Sequence, residues 1–228
     1  MKPLICSFSG VYEGQRITAV SDIVDFSDMR GCSMYVDEEA EKIILDRLSG
    51  HSFTGLHFID NGNYHYMTRL FLSFVRDEFD LCLFDHHTDD KPPAFGGLKS
   101  CGSWVYDIRN ENAFLRDLVH IRKKGDETGL FPGERPVYIS VDKDVLSADV
   151  LHTNWDQGDM TKEEFFEIFT GIIKTRPVLG IDICGEDEPD KSRVENDAFN
   201  MEIIDTLRRS FSSVNGLFSP DSPWPLKA

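Results

Sequence analysis

Two short stretches of this chain concentrate acids and imidazoles. "LCLFDHHTDD", residues 81–90, runs an apolar segment into Asp85, His86, His87, Asp89 and Asp90, and "SVDKDVL", residues 140–146, sets Asp142 and Asp144 two apart. On an extended chain residues two apart share a face, so Asp85, His87 and Asp89 point together while His86 and Asp90 point away. The same parity aligns Asp142 with Asp144 and turns Lys143 outward, so Lys143 and His86 should tolerate substitution better than their neighbours. Asp60, with His65 shortly after it, and Asp182 close two further apolar runs. Carboxylates crowded at one site repel each other unless a cation sits among them, and a divalent metal is the economical resolution. Oxygen-dominated ligation with imidazoles suits Mn2+, while ligand type alone leaves Fe2+, Co2+ and Zn2+ open.

These residues meet only if the segments before them end on one edge. Apolar runs over 3–9, 54–60, 81–84, 135–142 and 177–184 predict strands, and segments of helical period over 37–50, 64–79, 111–125, 161–175 and 196–211 predict helices. Helix signals support several of these, with acids opening 37–50 and a Thr-x-x-Glu capping box opening 161–175. The alternation is that of βα units around a mostly parallel sheet, whose strands share one carboxyl edge where ligands bind. At 228 residues one α/β domain over 1–228 is expected, with an extended, proline-containing tail from about residue 217.

Composition narrows the partners. A formal charge of -16, without any basic run, argues against nucleic acid and against an anionic membrane. The start, "MKPLICSFSG", carries one lysine and too short an apolar run for a secretory signal, so a cytoplasmic location is expected. Cys6, Cys32, Cys82, Cys101 and Cys184 are odd in number and widely spaced, which indicates neither a disulfide framework nor a zinc ribbon. His51, His57, His120 and His152 lack spaced partners and read as structural or surface histidines.

"FDHHTDD" resembles the D-x-H-x-D signature of the arginase and agmatinase (ureohydrolase) superfamily, and "SVDKDVL" resembles its S-x-D-x-D signature. "DNGNYHYM" stands where that family has G-G-x-H, and order and separation agree over roughly residues 54–185, so the chain resembles a short, divergent member. The resemblance implies an α/β fold, a three-layer αβα sandwich around a mostly parallel sheet. It also implies two divalent ions per chain, with Mn2+ expected. His65, Asp85, Asp89 and Asp142 would hold one ion, and His87, Asp85, Asp142 and Asp144 the other, with Asp85 and Asp142 bridging. Such a pair lowers the pKa of a shared water, making a hydroxide that attacks the planar carbon of a guanidino, amidino or formimino compound. Asp89 would be the catalytic residue, accepting the proton and passing it to the leaving nitrogen. The surplus of carboxylate charge favours a small cationic substrate, and the resemblance leaves room for a homo-oligomer.

Two positions depart from the pattern. Where the family's last strand reads D-x-x-E, with a guanidinium-binding glutamate, "GIDICGEDEPD" puts Gly185 at that place and Glu186 one residue later. A bulge at Gly185 would turn Glu186 into the pocket as a substrate anchor, whereas an extended chain would turn it to solvent. Where arginases carry a proton-shuttling histidine before glycine, this chain has Cys101 and Gly102, which makes Cys101 the second substrate-side residue. The alternatives are a catalytically altered or inactive member serving as a metal-binding sensor or scaffold, and an amide deacetylase.

Overall fold

In chain order the strands are β1 (Leu4–Ser7), β2 (Asp22–Asp25), β3 (Tyr35–Val36), β4 (Leu56–Asn61), β5 (Phe79–Phe84), β6 (Lys99–Ser100), β7 (Leu115–Ile121), β8 (Val137–Asp142) and β9 (Val178–Glu186). The helices are α1 (Glu38–Leu48), α2 (Met67–Leu72), α3 (Trp104–Glu111), α4 (Lys162–Thr175) and α5 (Arg193–Ser212). This is a computed structural model, and it describes residues 2–94, 96–127, 134–189 and 191–212. Seven strands form one sheet in the order β2-β1-β4-β9-β8-β5-β7, every neighbouring pair parallel. The short β3 and β6 pair antiparallel beside it.

Strand parity sorts the apolar side chains into two cores, one on each face. Phe84, Ile139, Val141 and Ile183 pack against Phe165 and Phe169 of α4 and Phe199 and Ile203 of α5. Leu81, Leu83, Tyr138 and Cys184 face the other way, against Ile44 of α1, Phe71 of α2 and Trp104 of α3. With helices over both faces, the sheet is the middle of a three-layer αβα sandwich. Local chemistry fixes helix starts: Asp37 accepts from Ala40 N at the head of α1, and Thr161 with Glu164 closes the expected capping box on α4.

Two expected helices differ. The segment 111–125 is not a helix: Leu115–Ile121 forms β7, and the helix lies just upstream in α3. β7 is an edge strand paired only with β5, so it is half exposed and its charged residues imitate the polar face of a helix. The helix expected over 64–79 shrinks to Met67–Leu72, preceded by a 3-10 turn over Gly62–Tyr64. The tail from about 217 lies outside the described residues.

Register levels the carboxyl ends of the central strands. Phe84 pairs with Val141, Asp142 with Cys184, and Asn61 with Glu186, so the residues that follow β4, β5 and β8 emerge side by side.

Candidate metal centre

Each acid-rich segment acts through the turn that ends its strand. β5 stops at Phe84, and Asp85 Oδ1 accepts from His87 N at 2.6 Å. Asp89 lies in the left-handed region at φ 47°, so Asp85, His87 and Asp89 are gathered by a bent loop and not by strand parity. After β8 the chain enters a 3-10 turn over Lys143–Val145, where Asp142 Oδ1 accepts from Asp144 N at 3.0 Å. His65 follows the 3-10 turn at the end of β4.

His65 Nδ1 lies 3.3 Å from Asp85 Oδ2, 3.3 Å from Asp89 Oδ2 and 3.3 Å from Asp142 Oδ2. His87 Nδ1 lies 2.7 Å from Asp144 Oδ2 and 3.8 Å from Asp85 Oδ1. His65 Nδ1 and Asp85 Oδ2 are buried and lack a hydrogen-bond partner, although they face each other. Buried, unsatisfied ligand atoms aimed at one point are what a divalent cation resolves. The donor set therefore fits a metal. Two groups of compatible ligand atoms adjoin, His65 with Asp85 and Asp89, and Asp85 with His87 and Asp144, sharing Asp85.

Partners behind the cluster fix its tautomers. Ser140 Oγ donates to Asp182 Oδ1 at 2.7 Å and accepts from His65 Nε2 at 3.0 Å, which leaves the Nδ1 lone pair facing the carboxylates. His87 Nε2 donates to Asp156 Oδ1 at 3.1 Å, with the same consequence for its Nδ1. Trp104 Nε1 donates to Asp89 Oδ2 at 2.9 Å, and His120 Nε2 donates to the Asp85 carbonyl at 2.7 Å. Sequence reasoning missed Ser140, Trp104 and Asp156, because nothing in spacing links residues from separate loops. Ser140 was visible only as the first letter of "SVDKDVL".

The ligand residues shift one another's protonation. Burial, then the Asp89 charge, pushes the Asp85 carboxyl well above the carboxylate range, and burial followed by the Asp142 charge raises Asp144 to about 6. Burial opposes charge on His65, but the carboxylates of Asp142, Asp85 and Asp89 outweigh it and push its pKa well up. The Asp144 hydrogen bond raises His87 to about 9. For Asp142 burial works against ionisation, yet the bond to His65 holds it below the usual range.

No family model matches the chain. An uncharacterized protein of Thermotoga maritima is 29% identical over 219 residues, covering 89% of this chain and 88% of the relative. Proclavaminate amidino hydrolase from Streptomyces clavuligerus superposes with a TM-score of 0.60 at 14% identity, over 92% of each chain. Trypanosoma cruzi formiminoglutamase with Mn2+ superposes with a TM-score of 0.59 at 16% identity, over 92% of this chain and 93% of the other. The chain has the arginase/ureohydrolase fold. On that fold its acid-rich turns stand at the carboxyl edge of the central strands, the edge that binds ligands in open parallel sheets.

Several expectations need correcting on this ureohydrolase fold. Glu186 turns neither toward the cluster nor to solvent. It is buried, and its carboxylate accepts from Lys143 Nζ at 2.5 Å, Gln15 Nε2 at 2.8 Å and Asn200 Nδ2 at 2.7 Å. Gly185 does take the left-handed backbone, φ 89°, and a Cβ there would collide with Asp142 Oδ1 and Lys143 N. The bulge thus presses the backbone against a ligand turn without delivering Glu186 to the pocket. Lys143 points away from the cluster but is fully buried, so the expected tolerance to substitution does not follow. His86 is half-buried, and its backbone N donates to Asp144 Oδ1 at 2.9 Å. Cys101 lines the cavity above the cluster, where burial and then the Asp89 charge push its thiol up to about 12. A protonated thiol there is neither a nucleophile nor a base near neutrality. Asp60 turns aside, accepting from Phe8 N and Ser9 N at 2.7 and 2.9 Å.

No helix of the described residues is long and apolar enough to cross a membrane.

Proposed function

We propose that this chain is a divalent-metal hydrolase, with Mn2+ the expected ion, that cleaves a linear, non-peptide C–N bond in a small amidino, formimino or guanidino compound. One observation carries the reading: two adjoining ligand groups with buried, unsatisfied atoms share Asp85 at the floor of a cavity of about 490 Å3. That volume is in the range of small-molecule sites, roughly 300–1,000 Å3. His65, Asp85, Asp89 and Asp142 would hold one ion, and His87, Asp85, Asp142 and Asp144 a second. Ions held there would acidify water and stabilise charge developing on a planar carbon.

The chain's own residues supply the rest. Trp104 Nε1 donates to Asp89 Oδ2 at 2.9 Å and fixes the carboxylate, which leaves Oδ1 as the oxygen that would take a proton and return it to a leaving nitrogen. Asp85, Asp142 and Asp144 are buried, which strengthens their electrostatic hold on a cation at the cavity floor. Because Lys143 engages Glu186, no carboxylate outside the cluster lines the cavity among the described residues, so no separate acid is there to anchor a guanidinium. The same observation supports a second reading, hydrolysis of a neutral amide.

The test is metal content and turnover together. Protein loaded with Mn2+ should hold two ions per chain and release ammonia or another amine from a panel of amidino, formimino, guanidino and amide compounds. A stoichiometry fixed at one ion would sink the paired site. Two bound ions with no turnover on any head group would leave a metal-binding scaffold in place of an enzyme.

A further inference from the structure

The doubled histidine after β5 serves the cluster only once. His87 reaches it through Nδ1, while His86 lies outside both ligand groups that share Asp85 and lines the same cavity. Asp156, on the loop between β8 and α4, adjoins both rings. His86 Nε2 lies 3.8 Å from Asp156 Oδ2, and His87 Nε2 lies 3.1 Å from Asp156 Oδ1. Each of the three residues offers a ligand atom within 4.8 Å of the other two. Ligands about 2.1 Å from a tetrahedral ion stand roughly 3.4 Å apart, so small side-chain shifts would close these atoms on one centre.

Backbone contacts hold both arms in place. His86 N donates to Asp144 Oδ1 at 2.9 Å, which ties the His86 backbone to the ligand turn after β8. Gly158 gives the ring its seat: a Cβ there would come 3.3 Å from His86 Nδ1 and 2.7 Å from the Val145 carbonyl oxygen. With Nδ1 toward Gly158, Nε2 is the ring nitrogen left for Asp156, and among the described residues the His86 ring makes no hydrogen bond. The loop that carries Asp156 is pinned on either side of it. Asn154 Oδ1 accepts from Gly62 N at 3.0 Å, and Gln157 Nε2 donates to the Leu146 and Leu151 carbonyls at 3.0 Å each. Both imidazoles are partly exposed and Asp156 is exposed, which leaves room for water as a further ligand.

We infer that His86, His87 and Asp156 form a further cation site on the cavity wall, selective for Zn2+ over Mn2+. Two imidazoles and one carboxylate suit Zn2+, whereas the carboxylate-rich cluster beside them suits Mn2+. His87 would bridge the two: its Nδ1 faces Asp144 and the cluster, and Zn2+ takes the place of the Nε2 proton, which passes to water. The anionic ring and the Asp156 carboxylate then offset the two charges of the ion. The site does not depend on the hydrolase reading, because it asks only for these three side chains.

The experiment is equilibrium dialysis of Mn2+-loaded protein against buffered free Zn2+, with both metals counted, beside His86→Ala and His86→Cys treated alike. The native chain should hold one divalent ion more than His86→Ala, whatever exchange of Mn2+ for Zn2+ takes place in the inner cluster. In His86→Ala the Zn2+ affinity of this site should fall about 100-fold or more, with the number of inner ions unchanged. His86→Cys restores a ligand and should recover the additional ion. With Co2+ in place of Zn2+, the same variant should add a thiolate-to-metal charge-transfer band that the native protein lacks. Equal metal content in the native protein and His86→Ala, or a His86→Cys variant without the additional ion and the band, would overturn the site. Zn2+ that replaces Mn2+ one for one, with the total unchanged, would overturn it as well. Because the count is a difference between two proteins, failure of the hydrolase reading would show as absent turnover and leave this result untouched.

Discussion

Asp85 offers one carboxylate oxygen to each half of the cluster, Oδ2 toward His65 Nδ1 at 3.3 Å and Oδ1 toward His87 Nδ1 at 3.8 Å. His65 serves one half only. On the proposed two-ion reading, Asp85→Asn should therefore remove both Mn2+ ions at concentrations that saturate the native protein, while His65→Ala should weaken one. Metal analysis after desalting separates the two, and equal loss in both variants would contradict the shared position of Asp85. Asp156 is exposed and touches no ligand group except His87. Asp156→Asn should still lower Mn2+ affinity, by about 10-fold or more, because the Nε2–H bond that aims Nδ1 is weakened. An unchanged titration would reduce Asp156 to a surface acid.

At the scale of elements, the ligand turn after β8 is locked to β9 and α5 by one buried ion pair. Lys143 Nζ meets Glu186 Oε1 and Asn196 Oδ1, and Asn200 Nδ2 donates to the same Glu186 oxygen at 2.7 Å. Lys143→Met leaves that carboxylate buried without its counter-charge and should cost about 3–5 kcal/mol, read from denaturant unfolding. The paired change Lys143→Met with Glu186→Leu should recover most of the loss, since an apolar pair of similar size removes the unpaired charge. A single variant within about 0.5 kcal/mol of the native protein would show that the pair holds nothing. The element misread from sequence, β7, failed for a related reason: an edge strand buries one side only, and its alternation Leu115, Asp117, Val119, Ile121 is interrupted by polar residues on both faces.

For the whole molecule, stability should depend on pH through His57, a buried imidazole stacked on Phe71 with ring centroids 4.2 Å apart. Burial lowers its pKa from 6.5 to about 4. Between those values the unfolded chain binds a proton that the folded chain refuses, so stability is full above pH 6.5 and falls as pH drops toward 4. The contribution is on the order of 3 kcal/mol. His57→Gln should lower stability at neutral pH yet flatten the decline between pH 7 and pH 4, as measured by denaturant midpoints. An unchanged difference from the native protein across that window would assign the pH dependence elsewhere.

Read alone, the sequence determined the fold class and the residues that could ligate, because strand-length apolar runs ending in acids leave few arrangements other than a parallel sheet with one polar edge. It did not determine how those residues meet. Parity holds only along extended backbone, and the acid-rich segments bend as soon as β5 and β8 end, Asp89 through its own left-handed backbone and Asp144 through a 3-10 turn. The partners of Glu186 lie far apart in the chain, Gln15 near its start and Lys143 and Asn200 beyond its middle. Only tertiary packing brings them together, because the energy of burying a charge depends on what surrounds it in space.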